Sequence, residues 1–391
     1  MSRRGTPEWT MPSPFVFDGP VKAGDVWGRT TEVDSLRQWM LAGRFVRLEA
    51  PRRFGKTSVI NQLEVDLDKR DGVPLVHVDL YGVLGFHDLA VRLGAAYNGL
   101  SKGRLRMMLD AVMRSGIGVG LNVFGSGANL QFAQQLQSDP VPTLHALLEL
   151  PKAIAEQSLA QRVVVALDEF QEVRNVAGAD ALLRSHIQHQ REFASYLFAG
   201  SDRGMLEMMF ADKTLPLFGQ AEVKRLGRLD PGVLADHIEV RFQETNRSAG
   251  TALASLLDVT LGHPQRSMLL AHHLWTHTPI GSDAGPEQWV AALDACRTVT
   301  DPESGALWSG LTPNQQKALR AISQSGKSWR RTGVNQYGLK RGSLEATLEQ
   351  LINRAELDED TGTLRIVDPL FELWLRDLGE PRPRPSDGGT S

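Results

Sequence analysis

In the first part of the 391-residue chain, short continuous runs of apolar residues alternate with stretches in which apolar residues recur at helical spacing. The runs bounded by polar or turn residues predict buried strands at 45–49, 75–80, 163–167 and 195–199. The wider spacing predicts helices near 32–42, 57–69, 87–100, 143–160 and 180–192. This alternation predicts an α/β fold with a mostly parallel sheet covered by helices on both faces.

The rest of the chain predicts helices alone and then a winged helix. Thr312-Pro313 places a capping residue and a first-turn proline at the start of one helix. Gly342–Ile352 predicts a second helix, with leucines along one face. Leu357–Val367 predicts a hairpin, whose tip at Thr361-Gly362 would be the wing.

One segment departs from the alternation of strands and helices. Ile117–Phe132 alternates apolar with small or polar residues around Gly125-Ser126-Gly127, which predicts a β-hairpin insert at 115–135. No charged residue occurs from Ser115 to Ser138. An uncharged hairpin either packs on its own domain or contacts a substrate or partner, and both interpretations stay open.

Gly55-Lys56-Thr57 lies between a predicted strand and a predicted helix, which is the order found in a phosphate-binding loop. Backbone N–H groups and the helix N-terminus of such a loop bind phosphate, and a glycine permits close approach. Lys56 is expected to reach the β- and γ-phosphates and Thr57 to bind Mg²⁺. The predicted nucleotide-binding residues of the loop are Ala50, Pro51, Arg52, Arg53, Phe54, Gly55, Lys56, Thr57 and Ser58.

The loop departs from the usual pattern at its first residue and carries two adjacent arginines. Ala50 stands where the usual pattern begins with glycine, and an alanine fits there if its φ angle is negative. Arg52 and Arg53 either face the phosphates or cap a surface, and the sequence does not decide between these roles.

Val163–Glu169 is a continuous apolar run that ends in two acids, as expected for a buried parallel strand. Asp168 is expected to hold Mg²⁺ through water, and Glu169 to polarise the attacking water. The alternative is a buried strand that happens to end in surface acids. Both this motif and the glycine-lysine-threonine motif fall at carboxyl ends of strands, where ligands bind in such sheets.

Composition and charge narrow the class of protein. A hydrophobic content of 41 % suffices for the cores of two or three domains. The net charge of −3 predicts no general attraction to nucleic acid, so such binding requires a local patch. The single cysteine, Cys296, excludes an internal disulfide framework and fits a reducing compartment. Without a secretory signal or an apolar run of membrane length, we expect a cytoplasmic protein that does not bind membranes.

Six motifs occur in a characteristic order along the chain. They are W-G-R-x-x-E-V-D-S-L from Trp27, A-P-R-R-F-G-K-T-S from Ala50, L-D-E-F-Q-E from Leu167, F-A-G-S from Phe198, P-L-F-G-Q from Pro216 and V-D-P-L-F-E-L-W-L from Val367. This order resembles the prokaryotic "archaeal ATPase" family of P-loop NTPases, which is close to the STAND NTPases and to the initiator branch of the AAA+ ATPases. The resemblance covers about residues 20–378 and implies an ATPase that uses Mg²⁺.

The resemblance also implies roles for residues outside the loop. Gly28 and Arg29 would lie beside the adenine, and Ser201 would be the polar sensor near the γ-phosphate. Gly262-His263-Pro264 resembles the G-x-P turn of STAND proteins, so His263 and Pro264 would contact the nucleotide from a helical lid, with Arg266 as a second sensor. A helix-capping or packing role for His263 is the alternative.

One position departs from the family pattern. The family often has arginine after P-L-Y-G, where this chain has Gln220. If that arginine acts as a finger across a subunit interface, activation between subunits is in doubt here. Arg203 and Arg225 are the candidate substitutes, and the sequence does not rank them.

A basic segment lies between the two helices of the predicted winged helix. It carries no acid, it includes Trp329 and Tyr337, and its basic residues are Lys327, Arg330, Arg331, Lys340 and Arg341. Basic residues interleaved with aromatic ones predict contact with duplex DNA. Against this, the predicted wing carries the acidic residues 358–360, which repel phosphate, and winged helices of this family also dock proteins.

These patterns together predict the domains and two classes of function. The predicted domains are an N-terminal tail (1–20), a P-loop ATPase domain (21–227), a helical lid (228–304), a winged helix (305–378) and a C-terminal tail (379–391). The first class is an ATP-hydrolysing switch that binds an unknown protein partner. The second is an AAA+-like loader or motor on duplex DNA, with a nucleotide-dependent homo-oligomer. A nucleotide-binding module without hydrolysis is a third class, and Glu169 argues against it.

Overall fold

The computed structural model describes residues 12–99, 139–157, 162–325, 338, 341–360 and 363–378. These residues form two compact units. The first unit contains Val21–Gly227 and Ile352–Ala355. The second contains Arg228–Leu351, together with the described residues before Val21 and after Ala355. The predicted domain boundaries within the second unit, between a lid and a winged helix, stay predictions.

In its described residues, the first unit contains a parallel sheet with the strand order β2-β3-β4-β1-β5. The strands are β1 (Val46–Glu49), β2 (Leu75–Asp79), β3 (Val163–Asp168), β4 (Ala194–Gly200) and β5 (Glu222–Arg225). Every residue of β1, β3 and β4 is buried, which explains their continuous apolar runs. The four predicted strands are confirmed, and β5 was not predicted.

Helices precede and connect these strands. They are α1 (Thr30–Leu41), α2 (Lys56–Asp66), α3 (Phe86–Gly99), α4 (Val141–Gln157), α5 (Ala179–Ile187) and α6 (Arg203–Ala211), with a π-helical turn at Leu67–Asp71 and a 3-10 helix at Phe170–Asn175. Side chains from α3, α4 and α5 pack with those of β2, β3 and β4 in one apolar core. The five helices predicted in this part of the chain are confirmed, whereas α6 was not predicted.

The second unit begins at Arg228 and is mainly helical in its described residues. Its elements are α7 (Pro231–Gln243), α8 (Ala252–Thr260), α9 (Pro264–His277), α10 (Pro286–Ser309), α11 (Pro313–Ser325), most of α12 (Arg341–Asn353), the antiparallel strands β6 (Leu357–Asp360) and β7 (Thr363–Ile366), and α13 (Pro369–Arg376). The predicted helices and hairpin of this region are confirmed. The assignment of α11, α12 and the hairpin as a winged helix stays a prediction.

A cap followed by proline starts three helices of this unit. Asp230, His263 and Asp368 each accept backbone N–H groups of the first turn of α7, α9 and α13. The next residue is proline in each case, and its missing N–H and fixed φ suit the first helical position. These pairs determine where the helices begin.

Some predicted features lie outside the described residues. They include the hairpin insert at 115–135, the tip Thr361-Gly362, and Lys327, Arg330, Arg331 and Lys340. Arg341 begins α12, but its side chain is not described. Of the helices in the described ranges, none has both the length and the apolar character needed to cross a membrane.

Gly262 provides a test of the packing of the second unit. Its φ angle is +77°, and a Cβ there would lie 2.3 Å from the Leu229 carbonyl oxygen. Gly262→Ala should therefore lower the free energy of unfolding by roughly 2–4 kcal/mol, through left-handed strain and overpacking. Urea unfolding of the full chain measures this loss.

Gly281→Ala is the matched control. Gly281 also has a positive φ, 78°, but the nearest atom to an added Cβ is 3.9 Å away. This variant should lose only about 1–2 kcal/mol, the cost of the backbone conformation. Equal losses in the two variants would contradict the packing argument at Gly262.

Candidate functional site

The loop that joins β1 to α2 has the backbone of an anion-binding loop. Arg53 and Gly55 have φ angles of 68° and 86°, in the left-handed region. Phe54 between them is buried and anchors the loop. Left-handed residues before a helix turn successive N–H groups toward one point, and the N-terminus of α2 adds partial positive charge there. The loop can therefore bind a phosphate group through its backbone.

Lys56 is the first residue of α2, and its side chain is only 6 % exposed. Its Nζ donates to the carbonyl oxygen of Ala50 at 3.2 Å, across the loop. Burial lowers the pKa of Lys56, although the negative charges of Glu169 and Asp168 oppose the shift. The loop thus holds a buried cation whose protein partner is a neutral carbonyl.

Thr57 and Asp168 meet at the same edge of the sheet. Thr57 Oγ1 donates to Asp168 Oδ2 at 2.8 Å, and His77 Nε2 lies 3.6 Å from the same oxygen. Burial raises the pKa of Asp168, but the nearby His77 imidazole, the hydrogen bond from Thr57 and the charge of Lys56 outweigh it, so the pKa falls below its ordinary value. Asp168 is therefore an ionised carboxylate at neutral pH.

This pair fits a Mg²⁺ ion by the chemistry of its donors. Hydroxyl and carboxylate oxygens are the ligands that Mg²⁺ prefers, and one or two protein oxygens with water and phosphate are its usual set. Among the described residues, no group of three or more His, Cys, Asp or Glu side chains could hold a metal. A metal at this edge would therefore depend on Thr57, Asp168 and the phosphates. Their role as metal ligands stays a prediction.

Glu169 and Ser201 are in direct contact. Glu169 Oε2 accepts hydrogen bonds from Ser201 Oγ at 2.7 Å, from Ser201 N at 3.2 Å and from Gln171 Nε2 at 2.6 Å. The Glu169 backbone has a φ of 50°, an uncommon angle for glutamate. The ends of β3 and β4 thus hold the carboxylate in a defined position. Sequence reasoning missed Gln171, although it lies in the D-E-F-Q motif.

Three arginine side chains lie around a buried carboxylate at the end of β1. Glu49 is 1 % exposed, and its carboxylate lies 2.6 Å from Arg47 Nε, 3.2 Å from Arg225 Nε and 3.8 Å from Arg203 Nε. Burial lowers the pKa of Arg47, whereas Glu49 raises it. Three guanidinium groups around one carboxylate leave positive charge at the edge that carries the phosphate-binding loop. Sequence reasoning missed Glu49 and did not connect it with Arg203 and Arg225.

The predicted residues before β1 lie close to the loop. Gly28 has a φ of 65°, a left-handed angle that suits glycine. Arg29 is buried, and its guanidinium donates to the carbonyl oxygens of Phe54 and Gly227 and pairs with Glu32. The contact of Gly28 and Arg29 with adenine stays a prediction.

The remaining loop residues differ in their surroundings. Ala50 and Ser58 are buried, whereas Arg52 and Arg53 are exposed. Ser58 Oγ accepts the backbone N–H of Val21 at 2.9 Å, so this hydroxyl fixes the start of the first unit. Whether Arg52 and Arg53 reach the phosphates stays a prediction.

His263 and Pro264 belong to the second unit, at the start of α9. The His263 Nδ1 accepts the backbone N–H of Arg266 at 3.2 Å, so the imidazole caps the helix. Arg266 itself binds Asp368 through two nitrogens and Glu303 through one. The structure therefore has the capping contact that was one of two interpretations of His263. Its contact with nucleotide stays a prediction.

Solved structures share the fold over most of this chain. The Walker-type ATPase PABY2304 of Pyrococcus abyssi is 18 % identical, with a TM-score of 0.67 over 93 % of this chain and 99 % of that chain. The ORC2 protein of Aeropyrum pernix in its ADPNP-ADP complexes is 14 % identical, with a TM-score of 0.54 over 93 % and 96 %. No protein-family model matches the chain, and neither does any of the curated proteins.

At these identities the likeness shows the fold alone. It confirms the predicted α/β fold of a P-loop ATPase, with further domains after the sheet. It also confirms, at the level of the fold, the predicted resemblance to archaeal ATPases and initiator proteins.

His263 should make the stability of the protein depend on pH. Burial lowers its pKa to about 3, although the charge of Asp368 opposes the shift. Since an unfolded histidine titrates near 6.5, the unfolded chain binds a proton between these values that the folded chain does not. Stability therefore falls as the pH falls from 6.5 toward 3. In His263→Asn, the slope of unfolding free energy against pH should be smaller by about 1.4 kcal/mol per pH unit.

Urea unfolding at pH 6, 5 and 4 measures this slope. Asparagine keeps a capping oxygen, so His263→Asn removes the titration and preserves the cap. His263→Ala removes both, and it should lose a further ~1 kcal/mol at every pH relative to the asparagine variant. Parallel pH curves for the wild-type protein and His263→Asn would contradict the assignment of a buried, neutral imidazole.

Proposed function

We propose that this chain, which has the fold of the archaeal Walker-type ATPases, binds ATP with Mg²⁺ and hydrolyses it slowly as a molecular switch. The observation that carries the proposal is the 2.8 Å hydrogen bond between Thr57 Oγ1 and Asp168 Oδ2. It joins the first turn of α2 to the end of β3, where the two protein ligands of one Mg²⁺ ion are expected. An ion held by these two oxygens would neutralise charge on the phosphate oxygens.

The loop and Lys56 bind the triphosphate in this proposal. The N–H groups of the loop and the N-terminus of α2 stabilise negative charge, and Lys56 Nζ leaves the Ala50 carbonyl for the β- and γ-phosphates. Burial supports this exchange, because a buried ammonium group gains more from an anion than from a neutral carbonyl. The arginines at Glu49 add positive charge at the same edge.

Glu169 is the proposed base. Its carboxylate takes a proton from the water that attacks the γ-phosphate, and Ser201 lies beside it as the polar sensor. In the structure, Glu169 Oε2 accepts hydrogen bonds from Ser201 Oγ and Gln171 Nε2. If the proton is accepted on Oε2, this oxygen must first leave these donors. Such a requirement favours slow turnover, which suits a switch.

The switch itself is the finer part of the proposal. ATP and ADP would favour different arrangements of the lid (228–304) and of the winged helix (305–378) relative to the ATPase domain, and thereby change the binding of a protein partner. The alternative is an AAA+-like loader or motor on duplex DNA. Its basis is the basic segment Lys327–Arg341, most of which lies outside the described residues.

Glu169→Gln should separate hydrolysis from binding. The amide cannot accept the proton, so the rate of phosphate release should fall by about 100-fold or more while the affinity for ATP stays near wild type. Lys56→Ala should instead weaken ATP binding by roughly 10- to 100-fold, since a charged contact to phosphate is lost. Phosphate release and equilibrium binding of a fluorescent ATP analogue measure the two effects.

Two nearby residues serve as controls. Glu172→Gln changes an acid on the adjacent 3-10 helix whose partner is Asn175, and Lys69→Ala changes an exposed lysine in the π-helical turn. Both should keep wild-type binding and turnover. Full activity in Glu169→Gln would remove Glu169 from the role of base, and unchanged ATP affinity in Lys56→Ala would contradict the phosphate-binding loop.

Duplex DNA should not change the turnover if the protein is a switch. Steady-state hydrolysis in low salt, with and without DNA, measures this, and Glu169→Gln gives the background rate. Gel filtration with ADP and with ATP, in the same variant, reports the oligomeric state. Strong stimulation by DNA together with an ATP-dependent oligomer would favour the loader or motor instead.

A further inference from the structure

The chain passes from the first unit to the second between Gly227 and Arg228. Arginine side chains hold the backbone on each side of this boundary. Arg29 binds the carbonyl oxygen of Gly227 within the first unit, and Arg228 binds carbonyl oxygens within the second unit. The boundary is therefore anchored at two adjacent residues, once in each unit.

Arg29 connects this boundary to the phosphate-binding loop. Its side chain is 5 % exposed, and its Nη2 donates to Gly227 O at 2.6 Å and to Phe54 O at 3.4 Å. Nη1 donates to Glu32 Oε1 at 2.9 Å, which fixes the other side of the guanidinium. Phe54 directly precedes Gly55 and Lys56. Because the guanidinium is planar and rigid, the two carbonyl groups that share Nη2 cannot shift independently without loss of a hydrogen bond.

Arg228 holds the other side of the boundary. Its Nη1 donates to the carbonyl oxygens of Thr260 and Leu261, at the end of α8, at 3.2 and 3.4 Å. Its Nη2 donates to those of Ile366 and Val367, at the end of β7, at 3.1 and 2.9 Å. Burial lowers the pKa of Arg228, and Arg365 adds to that shift. A displacement of the residue-228 backbone would therefore act on two elements of the second unit.

We propose that Arg29 is a positioning residue that couples the phosphate-binding loop to the second unit, a proposal that rests on the function proposed above. Phosphate binding draws the loop N–H groups inward and moves the Phe54 carbonyl. Arg29 follows that carbonyl, shifts its bond to Gly227, and so turns the backbone that leads into Arg228. In this proposal Arg29 acts through Phe54 and Gly227 and not through contact with the adenine, which was the role predicted from the sequence.

Energy transfer between two dyes tests this coupling in the full chain. Lys69 is exposed in the first unit, and Val290 is 65 % exposed in the second, so both can be replaced by cysteine for labelling. Cys296, the single native cysteine, is buried and is replaced by alanine. With Glu169→Gln as the background, ATP is retained, and the transfer efficiency is compared between ATP and ADP at saturation.

Two variants should lose the nucleotide-dependent change. Arg29→Lys keeps the charge but loses the planar fork, so the difference between ATP and ADP should fall by at least about half while ATP affinity changes by less than about tenfold. Arg228→Lys alters only the second unit and should lose the same difference at unchanged ATP affinity. Arg37→Lys, in α1, the helix that Arg29 directly precedes, changes an arginine paired with Asp71; it is the matched control and should keep both.

The outcomes separate this inference from the proposed function. If the background protein does not bind ATP, the proposed function fails. If ATP binds but the transfer efficiency is the same with ATP and ADP, or if Arg29→Lys keeps the full change, the coupling is overturned and ATP binding stands. If Arg29→Lys weakens ATP binding but not GTP binding, Arg29 contacts the base and the inference is likewise overturned. Thermal unfolding of each variant verifies that it folds.

Discussion

The parallel alignment of β1, β3 and β4 determines which side chains can meet at the site. Leu167 pairs with Phe198, and Glu49 pairs with Gly200, so the three strands end within one residue of the same level. The residues that follow them then reach the same edge of the sheet. A shift by one residue would exchange Asp168 and Glu169 between the two faces, because side chains alternate along a strand. The hydrogen bonds of Thr57 and Ser201 to these acids therefore depend on the register.

Burial gives this edge its electrostatic character. Lys56, Asp168 and Glu49 are each almost fully buried, and each lies close to a partner of opposite charge or a polar group. Charges removed from water interact strongly with one another, and removal of one partner leaves the other uncompensated. The charges of these side chains are therefore balanced by several groups together. The arginines around Glu49 add positive charge, which favours the binding of a negatively charged polyphosphate.

Short-range patterns in the sequence were sufficient to predict the elements that carry part of the candidate site. The loop around Gly55 and the acids after β3 are recognisable because their neighbours along the chain already specify strand, loop and helix. His263 is a similar case, since a polar residue before proline marks a helix start. In contrast, the edge strand β5 was missed because three of its four residues are charged and its pairing partner β1 is far away in sequence.

Contacts between distant residues explain the other omissions. Arg225 and Glu49 are separated by 176 positions, and Arg29 and Gly227 by 198. Nothing in the local pattern around Glu49 distinguishes a buried acid with arginine partners from an ordinary strand end. The role of Gln171 was hidden for a related reason, because it depends on how the turn after β3 folds back toward Glu169.

The hydrogen bonds on Glu169 have one more consequence for the proposed ATPase. In the proposed function, affinity for ATP resides in the loop after β1, whereas the proposed base, Glu169, is held by Ser201 after β4 and by Gln171 in the 3-10 helix. The lifetime of the ATP-bound state is then a separate property from its occupancy. A substitution at Gln171 alone would change the lifetime of the ATP-bound state without a change in the affinity for nucleotide. Related proteins that differ at this position would then hydrolyse ATP at different rates.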